Sequence, residues 1–153
     1  MSSTRTVKLS LGGGDIGSPK INGTKVAEYL ETYRKHGHTE IDAAALYPVN
    51  SFGQCEKELS SAGPWAVVST KIVPPLDQEN VKKSIDASLE RLGRSDVDIL
   101  YLHFPDAATP LEETLAAIDA AYRDGKFKRF GLSNLTPEMI EKFIAISEEK
   151  GEG

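Results

Sequence analysis

Hydrophobic positions along this chain follow two alternating rhythms. Short runs rich in β-branched and apolar residues occupy positions 7–11, 40–44, 65–73, 97–103 and 127–132, and predict strands. Between them, apolar residues recur at helical spacing. Val26, Leu30 and Tyr33 share a face within 24–36, and Val81, Ile85, Leu89 and Leu92 share one behind Asp77. Leu115, Ile118 and Tyr122 mark a further helix, and Met139, Ile140, Phe143 and Ile144 mark the last. Residues 54–62 predict a shorter one. The punctuation agrees with this division. Gly12-Gly13-Gly14 stops the first strand, Pro74-Pro75 closes the third, and Gly37, Gly93 and Gly125 end helices. Gly63-Pro64 stops the short helix. Asp77 suits an N-cap. Thr109 is a candidate cap, with Pro110 in the first turn and Glu112 at capping-box spacing. Thr136-Pro137 opens the last helix, which is expected to end near Gly151.

Five strand-helix units in succession predict an α/β fold with parallel strands. The run at 97–103 is apolar without alternation, the pattern of a strand buried on both faces. No linker or low-complexity tract interrupts residues 1–153, so one domain is expected. Periodicity alone does not separate a barrel from an open doubly wound sheet. The glycines after the first strand lack the GxGxxG spacing, which weakens the dinucleotide-binding open-sheet reading.

Composition narrows the class. Hydrophobic residues at 39% and charged residues at 27% are those of an ordinary globular domain. The net charge of −5, with no basic block or stripe, argues against a nucleic-acid surface. A single cysteine, Cys55, excludes an internal disulfide framework and fits a reducing compartment. The first eight residues are polar, and no apolar run approaches a membrane span. The expectation is a cytoplasmic protein without a membrane partner.

Four polar residues fall at or just beyond predicted strand ends: Asp42, Tyr47, Lys71 and His103. In a barrel of parallel strands, those ends and the following loops build the active site. Each residue alone reads as structure: a turn-capping aspartate, a packed tyrosine, a solvated terminal lysine, a satisfied histidine. Together, on successive strand ends of one sheet, they read as chemistry. A phenol with its ordinary pKa near ~10 is a poor acid at neutral pH. A neighbouring ammonium stabilises the phenolate, and a carboxylate holds that ammonium in place. A neutral imidazole can orient a carbonyl oxygen. Such a set can protonate a carbonyl oxygen as hydride reaches its carbon.

The segments around these residues resemble the aldo-keto reductases. Asp42-Ala43-Ala44-Ala45-Leu46-Tyr47, Gly53-Gln54-Cys55-Glu56 and Ser69-Thr70-Lys71 are similar to family segments. Ser88-Leu89-Glu90-Arg91-Leu92-Gly93, followed by Asp96-Val97-Asp98-Ile99-Leu100-Tyr101-Leu102-His103, is the most specific stretch. Gly125-Lys126-Phe127-Lys128-Arg129-Phe130-Gly131-Leu132-Ser133-Asn134 is nearly as characteristic. His103-Phe104-Pro105-Asp106 with Thr109-Pro110-Leu111-Glu112-Glu113-Thr114-Leu115 resembles the branch of aflatoxin aldehyde reductases. Ala43 stands where the family usually has Thr, and Pro48 where Gly is common, so the substrate pocket is expected to differ.

The resemblance implies a TIM-barrel-type fold and NADPH-dependent reduction of an aldehyde or ketone. Asp42, Tyr47, Lys71 and His103 would be the catalytic tetrad, with Tyr47 the general acid. Ser133 and Asn134 would bind the nicotinamide carboxamide, and Phe104 and Trp65 would contribute to the substrate pocket. A full barrel of this kind has eight units and typically ~250 residues, so five units in 153 residues predict a truncated barrel. Its open edges and uncovered interior imply a homo-oligomer, most simply a dimer. Two other functions use the same residues. One is a cofactor-independent acid-base enzyme, such as a dehydratase, isomerase or cyclase of natural-product biosynthesis. The other is a non-catalytic regulatory or interaction subunit. The remaining candidates read as structure. Cys55 is expected to pack as a small apolar residue, His36 and His38 to sit at a helix end, and Asp96 and Asp98 to line a solvated turn. No metal site is expected.

Overall fold

A computed structural model describes residues 7–149. Strands β1 (Ser10–Gly12), β2 (Glu40–Asp42), β3 (Val67–Ile72), β4 (Val97–Leu102) and β5 (Phe127–Leu132) form one parallel sheet, in sequence order. Helices α1 (Thr24–Lys35), α2 (Gln54–Leu59), α3 (Gln78–Leu92), α4 (Leu111–Arg123) and α5 (Pro137–Glu149) follow the strands one by one. The short helix expected at 54–62 divides into α2 and a single tight turn, Ser60–Ala62, before Gly63 turns the chain at φ 60°. The arrangement is the first part of a parallel barrel. Among the described residues the sheet does not close, and β1 and β5 are its edges.

Helix signals work as local chemistry requires. The Asp77 carboxylate accepts from the Asn80 amide at 3.1 Å, and Gly93 ends α3 in the left-handed conformation at φ 63°. Val26 and Leu30 of α1, and Val81, Ile85, Leu89 and Leu92 of α3, are buried. They meet Val68, Ile72, Leu100 and Leu102 in one core between helices and sheet. Thr109 behaves differently from the expectation. Its hydroxyl donates to the Asp106 carboxylate at 2.8 Å, and Pro110 takes the cap position without a side-chain bond. The end of the last helix near Gly151 lies outside the described residues, as do the first six positions of the polar N-terminus.

Several strand expectations change. The run at 7–11 shortens to β1, with Val7 76% and Leu9 51% exposed, because β2 offers only three residues to pair with. The run at 97–103 is not buried on both faces. Leu100 and Leu102 are packed against helices, while Tyr101 is half-buried on the opposite, concave face. β3 begins at Val67, so Trp65 precedes the sheet rather than starting it.

Candidate active site

The strands deliver polar side chains to one end of the sheet. Asp42 is the last residue of β2, Lys71 the penultimate residue of β3, and His103 directly follows β4. Parallel pairing sets Asp42 level with Ser69, and Lys71 level with Tyr101 and Gly131. Side chains alternate along a strand, so Thr70 and Ile72 pack into the core while Lys71 faces the concave side.

The Lys71 ammonium is buried and heavily engaged. Its Nζ lies 2.7 Å from both Asp42 oxygens and 2.9 Å from the Ala43 carbonyl oxygen. Beyond them it stands 4.7 Å from the centre of the Tyr47 ring. Tyr47 in turn meets His103 edge-on, with ring centroids 5.5 Å apart, and His103 stacks on Phe104 at 4.5 Å. The four predicted residues therefore form one contiguous group, with Phe104 on its exposed side.

Tyr47 reaches this position through a loop fastened at both ends. The Ala43 and Ala45 amides donate to the Ser69 and Lys71 carbonyls, and the Gly53 and Cys55 amides donate back to the Ala45 and Tyr47 carbonyls. Gly13 is part of the same seam. A Cβ there would lie 2.6 Å from the Asp42 oxygen and 2.8 Å from Cys55 Sγ, so only glycine fits.

His103 is 6% exposed. Burial, and next the Lys71 cation, push its imidazole below the ordinary range, against a weaker pull from Asp42. The ring is thus neutral near pH 7. Its Nδ1 is buried with no partner among the described residues. A proton on Nδ1 would be an unsatisfied buried donor, which costs about 1–3 kcal/mol. The favoured tautomer carries its proton on Nε2, leaving that nitrogen as a donor.

Ser133 and Asn134 follow β5 and sit beside this group. The Ser133 amide donates to the Leu102 carbonyl, and Asn134 Nδ2 donates to the His103 carbonyl at 2.8 Å. Asn134 adopts a left-handed backbone at φ 58°, which asparagine tolerates better than most residues. Nδ2 also donates to the Ser133 hydroxyl oxygen at 3.1 Å, which leaves the Ser133 O–H as a donor and Asn134 Oδ1 as an acceptor. That donor-acceptor pair matches the chemistry of a primary carboxamide.

Trp65 does not join the group. It lies at the opposite end of the sheet, before β3, with the Arg34 guanidinium 5.6 Å from its ring. A substrate-lining role does not suit that position. Cys55 is fully buried, and burial pushes its thiol up to about 12. His36 caps the C-terminal end of α1, and His38 packs on Tyr33 at 5.2 Å. Asp96 and Asp98 pair with Lys128 and Arg129.

Several residues around the site had no assigned role in the sequence. Tyr101 lies on the concave face, its ring 5.7 Å from Lys71 Nζ and pressed against the Gly131 backbone. A Cβ at residue 131 would fall 2.3 Å from that ring. Asp106 ties two loops, accepting from the Leu76 and Ala108 amides at 2.8 and 2.9 Å. Burial opposes its charge, but these bonds and the Thr109 hydroxyl outweigh it and hold the carboxyl below the ordinary range. The sequence did carry one signal for them. Tyr101, Gly131 and Asp106 all lie within the segments that resemble a known family.

Comparison with known proteins agrees with the geometry. The Aldo/keto reductase family pattern matches residues 8–152, and the chain belongs to that family. It is 38% identical over 134 residues to an aldo-keto reductase of Pseudocercospora fijiensis, covering 80% of this chain and 44% of the relative. It is 32% identical over 143 residues to the human aflatoxin B1 aldehyde reductase member 2, covering 86% of this chain and 39% of that protein. A solved thermostable aldo-keto reductase in complex with epalrestat superposes with a TM-score of 0.79 at 28% identity, over 94% of this chain and 56% of that one. The chain thus spans less than half the length of these two curated relatives.

Proposed function

We propose that this protein reduces an aldehyde or ketone with NADPH, with Tyr47 as the acid. The observation that carries this reading is the placement of Lys71 between the Asp42 carboxylate and the face of the Tyr47 ring. Family membership supports a carbonyl oxidoreductase, and the relatives named for aflatoxin aldehyde support an aldehyde among its substrates.

When bound, the cofactor supplies hydride to the carbonyl carbon. Ser133 and Asn134 would hold its carboxamide at the end of β5. The carbonyl oxygen sits where Tyr47 and His103 converge, and the neutral imidazole orients it through Nε2–H. Tyr47 passes its hydroxyl proton to that oxygen as negative charge builds on it. Lys71 compensates the charge left on the phenolate, at low dielectric where such compensation is strongest. Asp42 keeps the ammonium in register and balances its charge. Phe104, stacked on His103 and 37% exposed, offers an apolar wall to the substrate.

A paired working form fits the same reading. β5 has an unpaired edge among the described residues. Beside it, Leu115, Ile118, Phe127, Phe130 and Phe143 line an apolar groove of ≈ 470 Å³ between α4 and α5. A second copy laid against this edge would cover both features, and a homodimer is the simplest such assembly.

Titration of the purified chain with NADPH by calorimetry tests the reading. Saturable, stoichiometric binding is expected. No heat of binding at millimolar cofactor contradicts it.

A further inference from the structure

Glu56 is a fully buried carboxylate that the chemistry above does not use. Such a charge persists only where every oxygen is answered. Oε1 accepts from the Thr70 hydroxyl at 2.6 Å, and Oε2 accepts from Arg91 Nε at 2.7 Å. Arg91 Nη2 also donates to Ser88 at 3.0 Å. Three elements, α2, β3 and α3, therefore meet at one ion pair. Its neighbours give it a direction. Thr70 immediately precedes Lys71 on β3. On the other side, Arg91 lies along the Gly53 backbone so closely that a Cβ at residue 53 would stand 2.6 Å from its Cδ. Its guanidinium covers the Phe52 ring at 5.5 Å. Gly53 holds φ 75°, a conformation open to glycine, and its amide closes the Tyr47 loop onto the Ala45 carbonyl at 2.6 Å. Two residues on, the Cys55 amide donates to the Tyr47 carbonyl at 3.0 Å.

We infer that Arg91, oriented by Glu56, is a positioning residue that clamps the Tyr47 loop against β3 and so sets Tyr47 over Lys71. The catalytic consequence rests on the proposed function; the clamp itself does not. Phe52 and Gly53 cannot move away from α3 without uncovering the guanidinium. Thr70 cannot shift along β3 without leaving Glu56 a bare oxygen. Both halves of the Tyr47–Lys71 contact are thereby referred to one buried pair.

Removing Arg91 alone would strand a buried charge and strongly destabilise the chain, so the informative variant is the double one, Glu56→Gln with Arg91→Met. The glutamine carbonyl still accepts from Thr70, and no charge is stranded. Amide hydrogen exchange followed residue by residue gives the readout. Protection at Gly53 and Cys55 is expected to fall about tenfold or more, while His103 and Ser133, whose amides bond across β3, β4 and β5, keep theirs. A general loss of stability would lower all four together. A folded double variant with Gly53 and Cys55 still protected would overturn the clamp, as would a uniform loss. Turnover of a model aldehyde with NADPH supplies the second arm. In an active enzyme the double variant should lose about tenfold or more in kcat with KM little changed. Unchanged kcat beside lost protection would overturn the catalytic role and leave a purely structural clamp. An inactive wild-type chain would count against the proposed function, while the exchange measurement would still decide the clamp.

Discussion

Lys71 and Asp42 form a two-oxygen ion pair, with Nζ 2.7 Å from each carboxylate oxygen and only 9% of the lysine side chain exposed. Asp42→Asn keeps the shape and removes the charge. The Ala43 carbonyl remains as a partner, but the ammonium loses its counter-charge. Asp42 is itself 37% exposed, so the cost is discounted from that of a fully buried pair to about 1–3 kcal/mol. Urea unfolding of the two proteins measures it. Equal midpoints would show that the pair contributes nothing to the fold.

Gly131 and Tyr101 make a second, purely steric prediction. Gly131→Ala places a methyl group 2.3 Å from the tyrosine ring, so the ring or the strand must shift. The expected cost is about 1–3 kcal/mol. The same change made in a Tyr101→Ala background should cost far less, because the ring that blocks the methyl group is gone. Additive losses in that cycle would remove the contact as the cause.

His103 should leave a mark on the pH dependence of stability. Burial first, and the Lys71 cation second, hold its pKa below the ordinary 6.5. The unfolded chain therefore takes up the proton as pH falls past 6.5, while the folded chain refuses it until lower pH. This contribution to stability is complete above that value and drains away as pH drops through the folded pKa. His103→Gln should flatten that part of the curve. A series of urea melts across the acid range shows whether it does, and an unaltered slope would mean that His103 is protonated alike in both states.

Self-association should follow from the β5 edge. Ile144 and Tyr122 are 51% and 55% exposed beside the apolar groove. Sedimentation velocity over a range of concentrations should reveal a dimer. Phe130→Glu, placed on the groove, should shift it toward monomer. A wild-type chain that sediments as a monomer throughout would contradict this assembly.

Much of the fold was legible because the deciding interactions are local. Asp77 and Gly93 bracket α3 in the sequence as they do in space, since a cap and a left-handed turn need no distant partner. Thr109 went astray because another partner existed: the Asp106 carboxylate took its hydroxyl. Trp65 has the composition of a strand residue, yet β3 starts after it, and its ring answers to Arg34 at the far end of the sheet. The polar group at the strand ends was legible in the chain because parallel strands present their ends to one side. The Glu56–Arg91 pair could not be read the same way. Its members are 35 residues apart, and nothing in either segment alone says that they meet.

The most direct test of the central claim compares wild-type protein with Tyr47→Phe in NADPH-dependent reduction of an aldehyde. Tyr47→Phe keeps the ring that faces Lys71 and His103 and removes only the hydroxyl, so the variant should match the wild type in stability. If Tyr47 delivers the proton, turnover should fall by about 10²–10⁴ with cofactor binding intact. Turnover equal to the wild type would contradict the account.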